Sequence, residues 1–292
     1  ASRGLGDVYK RQEFLFSDAE LSYQSNNISL LSSHLLKSPV KIAFRRATST
    51  DDGDLLMIVN GDGTMAAYSI HRSQKVVAPS EFITDGTYED CAVDIDDIYV
   101  VVKRTINSST KHYIERLDDD RTTDASFQLF DGSADGNKPT STTVSGLTHL
   151  EGKTVECVRD DIFLGEKTVS SGQITIDQVP TTYVEIGLHH DVLAKTLPAE
   201  PRLASGTMVG RKKRIVAVSP VLNQTQNIAI NGNEVSLKQF PYTLDSSETL
   251  FTGRKRVTPL LGYSEEAQIS ITQTKPLFFT LLSLEYSVSG SQ

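Results

Sequence analysis

Short runs of alternating apolar and polar residues, separated by turn residues, dominate the chain. The pattern is clearest over Thr142–Leu188, where runs rich in Val, Ile and Thr alternate with Asp, Ser and Gly turns. Short strands closed by such turns are typical of a small antiparallel barrel or sandwich. The predicted strands there are Lys153–Val158, Ile162–Leu164, Lys167–Val169 and Gln173–Ile176, with turns at Arg159-Asp160-Asp161 and Ser170-Ser171-Gly172.

The residues before this stretch predict a longer series of strands. Asn60-Gly61-Asp62-Gly63 predicts a tight hairpin turn, since Asn-Gly adopts left-handed turn conformations readily. Strands at a spacing of about 8–12 residues are typical of propeller blades or a sandwich. One helix is predicted over Asn27–Leu36, where Asn27 or Ser29 caps an apolar face. The strands are Val40–Arg46, Leu55–Val59, Thr64–Ile70, Gln74–Pro79, Tyr88–Ile95, Ile98–Arg104 and Lys111–Arg116.

Composition shifts divide the chain into predicted regions. A propeller-like β region covers 13–130, and a polar, Gly- and Pro-containing linker covers 131–144. A small β-domain with its connection covers 145–210, and a C-terminal β region covers 211–292. The predicted class is therefore all-β: a partial propeller-like domain with a small barrel or sandwich.

Bulk properties exclude some function classes. The chain of 292 residues has a net charge of −8, which does not favour a nucleic-acid binder. Cys91 and Cys157 each lie in an apolar alternation, so we expect buried free thiols and a chain folded in a reducing cytosol. Apolar runs of membrane-spanning length are absent from the sequence.

Several groups of acidic residues are candidates for chemistry. Asn60–Thr64 with Asp51, Asp52 and Asp54 weakly resembles a calcium loop, but it lacks the closing Glu of a helical calcium loop, and a turn is favoured. The acids at 118–120 and at 160–161 could pair for glycoside hydrolysis. Adjacent acids in a turn usually point into solvent, so we do not assign them a catalytic role.

Histidines and basic clusters are also interpreted structurally. His189, His190 and Asp191 form the densest His site, but adjacent His residues on a strand point to opposite faces, which disfavours a metal site. The basic clusters at 211–214 and 254–256 could contact phosphates or a neighbouring subunit, or protect a strand edge. The sequence also lacks nucleophile-elbow, phosphate-loop and dinucleotide fingerprints. We therefore assign no catalytic, cofactor-binding or metal-ligating residue, and we expect a protein that is not an enzyme and needs no cofactor.

Five motifs, in matching order, resemble one protein family. They are G-L-T-H-L-E-G-K-T-V with V-S-S-G-Q-I-T-I and V-E-I-G-L; T-D-G-T-Y-E-D-C-A-V; I-Y-V-V-V-K-R-T-I-N with H-Y-I-E-R-L-D; L-F-T-G-R-K-R-V; and K-P-L-F-F-T-L-L-S-L-E-Y-S-V. Together they resemble the tail nozzle proteins, also called tail tubular protein B, of short-tailed bacteriophages and prophages. The resemblance covers about Glu13 to the end of the chain.

This resemblance implies a fold and a function. The region 211–292 would pack back onto the larger domain, which makes the small domain an insertion. The protein would be made in the bacterial cytoplasm and built into the virion. It would form a ring with other copies and a tail adaptor protein, and this tube would conduct and retain the genome during transient passage of DNA. The alternative is a host-glycan-binding or glycan-degrading tailspike or fibre fragment. The absence of Trp, a common sugar platform, disfavours that alternative.

The first residues read as non-native. Asp7–Gln12 is D-V-Y-K-R-Q, and one DNA sequence that encodes it resembles a transposon end used to build sequencing libraries. We therefore expect residues 1–12 to be adapter-derived and to make few tertiary contacts. On this interpretation the natural protein begins upstream of Glu13. The alternative is a real N-terminal strand.

Overall fold

A computed structural model describes residues 12–17, 20–49, 53–203, 206–238, 249–258 and 262–290. The chain divides into two compact units, the N-terminal unit Ala1–Asp119 and the C-terminal unit Asp120–Gln292. Strands dominate the described residues, and α-helices are absent from them, so the predicted all-β class is confirmed. The predicted boundaries at 130, 144 and 210, and the packing of 211–292 onto the N-terminal region, stay predictions.

Every strand pair of the N-terminal unit is antiparallel. A hairpin β1-β2, a four-stranded sheet β3-β4-β5-β6 and a three-stranded sheet β7-β8-β9 follow chain order. The strands are β1 (Gln12–Ser17), β2 (Ser22–Asn27), β3 (Pro39–Arg45), β4 (Asp54–Asn60), β5 (Met65–His71), β6 (Val76–Phe82), β7 (Thr87–Asp94), β8 (Asp97–Ile106) and β9 (Ser109–Leu117).

The two larger sheets of this unit share one core. Met57, Val59 and Met65 of the first sheet pack with Val100 and Val102 of the second. These residues alternate along their strands, so each sheet turns one apolar face to the shared core. The series of strands predicted between residues 40 and 116 is therefore present, as two antiparallel sheets in chain order. The partial propeller arrangement of these sheets stays a prediction.

The predicted helix over Asn27–Leu36 is wrong. The structure has the end of β2, turns and a single 3₁₀ turn at Ser33–Leu35. The Asn27 side chain accepts a hydrogen bond from the Ser29 backbone N–H, which competes with helical bonding. The Asn60 side chain further donates to the Leu35 carbonyl and accepts from the Lys37 N–H, so a neighbouring hairpin takes up these backbone groups.

Among its described residues, the C-terminal unit contains five sheets or ribbons. Its main sheets have the orders β10-β15-β12-β13, β22-β19-β24 and β16-β23-β20-β21, and its ribbons are β11-β14 and β17-β18. A 3₁₀ turn covers Thr148–Leu150. The strands are β10 (Asp124–Phe130), β11 (Thr143–Ser145), β12 (Thr154–Arg159), β13 (Ile162–Thr168), β14 (Gln173–Thr175), β15 (Tyr183–Leu188), β16 (Leu193–Lys195), β17 (Arg202–Leu203), β18 (Gly206–Thr207), β19 (Lys213–Thr225), β20 (Ala229–Ile230), β21 (Asn233–Glu234), β22 (Phe251–Arg254), β23 (Ser270–Thr272) and β24 (Leu281–Gly290).

The sheet β10-β15-β12-β13, called the small sheet below, contains the predicted strands between 153 and 169 as β12 and β13. The predicted strand Gln173–Ile176 lies instead in the ribbon β11-β14, and closure into a barrel or sandwich stays a prediction. The turns at Arg159-Asp160-Asp161 and Ser170-Ser171-Gly172 are confirmed, with Asp160, Asp161 and Ser171 at positive φ. Gly165 does not end a strand. It lies at φ +84° in a bulge of β13, where the register shifts against β12. The sheet also includes β10, which precedes the predicted linker and pairs with β15.

Candidate functional site

The small sheet has one apolar face and one face that buries charge. Val155 and Cys157 on β12, with Val184 and Ile186 on β15, build the apolar core. Strand residues alternate between faces, so Glu156 and Glu185 lie on the opposite face. Both glutamates are nevertheless almost fully buried, at 4% and 2% exposure. Burying a carboxylate is costly unless its charge is compensated, which makes this face the strongest candidate site.

Glu185 is compensated by a set of neutral donors. One of its carboxylate oxygens accepts from the backbone N–H of Thr122 at 2.8 Å and of Thr123 at 2.9 Å, and from both threonine hydroxyls. The Ser126 hydroxyl donates to the same oxygen at 3.1 Å. Gln128 donates to the other oxygen at 3.4 Å. The segment 122–128 therefore folds over Glu185 and shields its charge.

Gly187 makes this close approach of the segment possible. A methyl carbon at position 187 would overlap the Thr123 hydroxyl and lie 2.7 Å from the backbone oxygen of Asp124. Only glycine leaves room for a backbone segment to cross the strand at this distance.

Glu156 is compensated differently, by a single histidine. Its Oε1 lies 2.9 Å from Nδ1 of His189, and Nε2 of the same ring lies 3.1 Å from Oδ1 of Asp191. The other carboxylate oxygen of Glu156 is buried and has no hydrogen-bond partner among the described residues. His189 itself is half exposed, so the pair lies at the edge of the buried face.

The electrostatics of this group follow from burial and charge. Burial raises the pKa of Glu156 above its ordinary 4.5, although the hydrogen bond and charge of His189 oppose that rise. Partial burial lowers the pKa of His189, but its bonds to Glu156 and Asp191 outweigh this and leave the pKa above its ordinary 6.5. The surrounding carboxylates therefore favour the imidazolium form of His189, whereas burial disfavours the charged form of Glu156.

This arrangement is better suited to holding structure than to catalysis. Both ring nitrogens of His189 face carboxylates, so neither is directed at a nucleophile or a substrate. His190, the other histidine of the predicted pair, makes no comparable contact with Glu156. Within the described ranges, clusters of three or more His, Cys, Asp or Glu side chains placed to hold a metal ion are absent.

The predicted acid pairs are not brought together as pairs. Asp160 accepts from the backbone N–H groups of Thr181, Thr182 and Tyr183 at 2.7–3.1 Å. Burial opposes ionisation of Asp160, but these bonds outweigh it and hold its pKa well below the ordinary range. Asp161 instead accepts from the Tyr183 hydroxyl at 3.0 Å. The expectation that these acids point into solvent is therefore wrong.

Three of the other acidic candidates, Asp118, Asp62 and Asp54, have local partners. Asp118 pairs with Arg116 at 2.9 Å. The predicted turn after Asn60 is confirmed, and Asp62 accepts from the Thr64 N–H and hydroxyl within it. Asp54 accepts from the Ala47 N–H at 2.9 Å. Asp51 and Asp52 lie outside the described residues, as do residues 1–11 of the predicted adapter segment.

The basic clusters are partly used within the unit. Lys213 is fully buried and donates to Glu200 at 2.6 Å, so it is not a surface cation. Arg214 lies over the Tyr263 ring at 5.5 Å. In the second cluster, Arg254 pairs with Glu285 at 2.6 Å. The strand alternation that sends neighbouring basic residues in opposite directions was predicted, but the burial of Lys213 was not.

The two cysteines are free and buried, as predicted. Burial raises the pKa of both thiols, that of Cys157 to about 12. A neutral thiol is a poor nucleophile, so both side chains act as small apolar core residues.

Comparisons with known proteins add no assignment. The chain matches no protein-family model and no curated protein. Among the described residues, a helix long and apolar enough to cross a membrane is absent.

Proposed function

We propose that this chain is a structural component of a bacteriophage tail, similar to the nozzle of short-tailed phages. In this role it assembles with other copies of itself and with a tail adaptor protein into a ring. The ring forms part of the tube that conducts and retains the genome. The protein is made in the bacterial cytoplasm and becomes part of the virion. The five ordered sequence motifs support this choice of family.

One structural observation carries the non-enzymatic part of the proposal. The acids and the histidine best suited to chemistry are engaged by partners that hold strands and turns together. Asp160 fastens the turn at 181–183, Glu185 holds the segment 122–128, and His189 lies between two carboxylates. Catalysis needs an acid, base or nucleophile that faces a substrate, and these groups face the protein.

The sheet architecture supports an assembly role. Antiparallel sheets with short turns give each unit rigid sides, and a ring is built from one such contact repeated around an axis. The basic clusters offer little free charge for a DNA-binding surface. Lys213 is buried on β19, the central strand of its sheet, and Arg254 on β22 is paired with Glu285 on β24, across β19.

Electron microscopy of the assembled protein tests the proposal. The complete gene that encodes this chain would be co-expressed with the neighbouring tail adaptor gene, and the purified complex would be imaged by negative stain. We expect closed rings with a central opening when both proteins are present. A complete protein that stays monomeric beside its adaptor would contradict the proposal.

A depolymerase assay on the same preparation distinguishes the tailspike alternative. The protein would be incubated with capsular and surface polysaccharides of the host, and released oligosaccharides would be measured. The structural role predicts no release above a heat-denatured control. Cleavage by a monomeric protein would establish the glycan-degrading function in its place.

A further inference from the structure

The connector 189–192 begins with His189, which compensates the charge of the buried Glu156 and can lose its proton. It follows β15 directly and leads to β16, which pairs with β23 in another sheet of the same unit. His189 is the first residue of the connector, and its ring is held between Glu156 on β12 and Asp191. This contact joins the exit of one sheet to the start of the path into the next.

We propose that Glu156, His189 and Asp191 form a proton-controlled brace, which holds the connector against β12 when His189 is protonated and releases it when His189 loses its proton. The buried Glu156 oxygen without a partner is the physical reason. With His189 neutral, Glu156 would be a buried carboxylate facing an uncharged ring, and this costs free energy.

The charges around His189 all act in one direction. Glu156 faces the ring from β12, and Asp191 faces it from the connector. Glu166 on β13 is the cross-strand partner of Glu156 and adds further negative charge. The position opposite Glu156 on β15 is Gly187, which has no side chain, and the neighbouring Glu185 is turned to its own donors. This negative surrounding favours the imidazolium form.

The direction of the pH effect follows from these shifts. His189 has a raised pKa in the folded protein, so its stabilising contribution is complete below the ordinary value of 6.5. This contribution is lost as pH rises through the folded-state pKa. The titration of His189 therefore makes the brace weaker as pH rises.

A histidine titration by NMR tests the brace directly. The imidazole signals of the ¹⁵N-labelled chain would be followed between pH 5 and pH 9 and assigned with His189→Gln and His190→Gln. We expect the His189 midpoint to lie above the ordinary 6.5, and Glu156→Gln to move it down. His190→Gln should leave that midpoint unchanged. A His189 midpoint at or below 6.5, or one unmoved by Glu156→Gln, would overturn the proposal.

Backbone relaxation then shows whether the connector responds. The ¹⁵N order parameters of the amides of 189–192 should fall through the His189 midpoint in the wild type and in His190→Gln. The amide of His189→Gln can donate to Glu156 at every pH, so this variant should show no step. A step of the same size in His189→Gln would refute the brace. Asp191→Asn changes an exposed side chain and gives a second variant, which should lower the His189 midpoint by a smaller amount.

Discussion

Glu185 and Glu156 lie on the same face of the small sheet, and both are buried, yet their charges are compensated in different ways. Glu185 receives backbone, hydroxyl and amide donors from the segment 122–128. Glu156 receives one imidazole, and its second oxygen has no hydrogen-bond partner among the described residues. The two sites therefore differ in the number of donors and in whether the donor can lose its proton.

This difference determines how each buried glutamate attaches a chain segment to the small sheet. The donors of Glu185 do not titrate near neutral pH, so this carboxylate is a permanent attachment for a chain segment. The attachment of Glu156 depends on a proton held by His189. The same sheet face therefore carries two kinds of contact. Glu185 holds the segment 122–128 at every pH near neutrality, and Glu156 holds His189 in a pH-dependent way.

The largest effect is expected for Glu185→Ala. This substitution leaves the N–H groups of Thr122 and Thr123 without their acceptor, and each unmet buried donor costs about 1–3 kcal/mol. We expect the unfolding free energy of the C-terminal unit to fall by about 3 kcal/mol or more, measured by urea denaturation. Glu166→Ala removes an exposed glutamate from the same face and is the control, with a change within about 0.5 kcal/mol. Equal losses in the two variants would show that the donors of Glu185 contribute little.

Gly187→Ala should have the next largest effect. The added methyl group would overlap Thr123 and push the segment 122–124 away from the sheet, at a cost of about 1–3 kcal/mol. Because the displaced segment is the one that donates to Glu185, the two substitutions share a mechanism. The double variant Gly187→Ala/Glu185→Ala should therefore lose less stability than the sum of the single losses. Strict additivity would mean that Gly187 acts independently of Glu185.

Asp160→Ala should cost less and should have the opposite pH dependence to the Glu156 brace. Its three backbone donors lose a charged acceptor, and the expected loss at pH 7 is about 1–3 kcal/mol. The folded-state pKa of Asp160 is depressed, so its contribution is present above the ordinary 3.8 and is lost as pH falls below that value. Urea denaturation at pH 7 and at pH 3 should show the penalty shrinking at the lower pH. A penalty that grows on acidification would contradict the assigned role, and Asp161→Ala, which loses one hydroxyl donor, is the matched control.

The local parts of the fold could be predicted from the sequence. The hairpin after Asn60 and the turn at Asp160 follow from residues that tolerate left-handed backbone conformations, and this information lies within a few residues. The helix over Asn27–Leu36 was predicted from the same kind of local signal and is wrong. There, hydrogen bonds from Asn60, well separated in sequence, took up the backbone groups.

The candidate site depended on contacts between distant residues. Glu185 binds Thr123, and Glu156 binds His189, across 62 and 33 positions of sequence. A signal for both glutamates was nevertheless present, because each interrupts a β-branched strand, in V-E-C-V and in Y-V-E-I-G-L. A charged residue inside a buried strand indicates a compensating partner but does not identify it. The burial of Lys213 was missed for the same reason, since its partner Glu200 lies outside the basic run.

The pH dependence of two matched variants tests the difference between these sites most directly. The unfolding free energies of Glu156→Gln, Glu185→Gln and the wild type would be measured between pH 6 and pH 9. We predict a constant penalty for Glu185→Gln, because the surrounding donors do not titrate in this range. The penalty of Glu156→Gln should shrink as pH rises. In the wild type, His189 loses its proton over this range and leaves the buried carboxylate of Glu156 uncompensated, and the variant lacks this charge. Parallel pH profiles for the two variants would contradict the conclusion that one buried glutamate is held by permanent donors and the other by a proton.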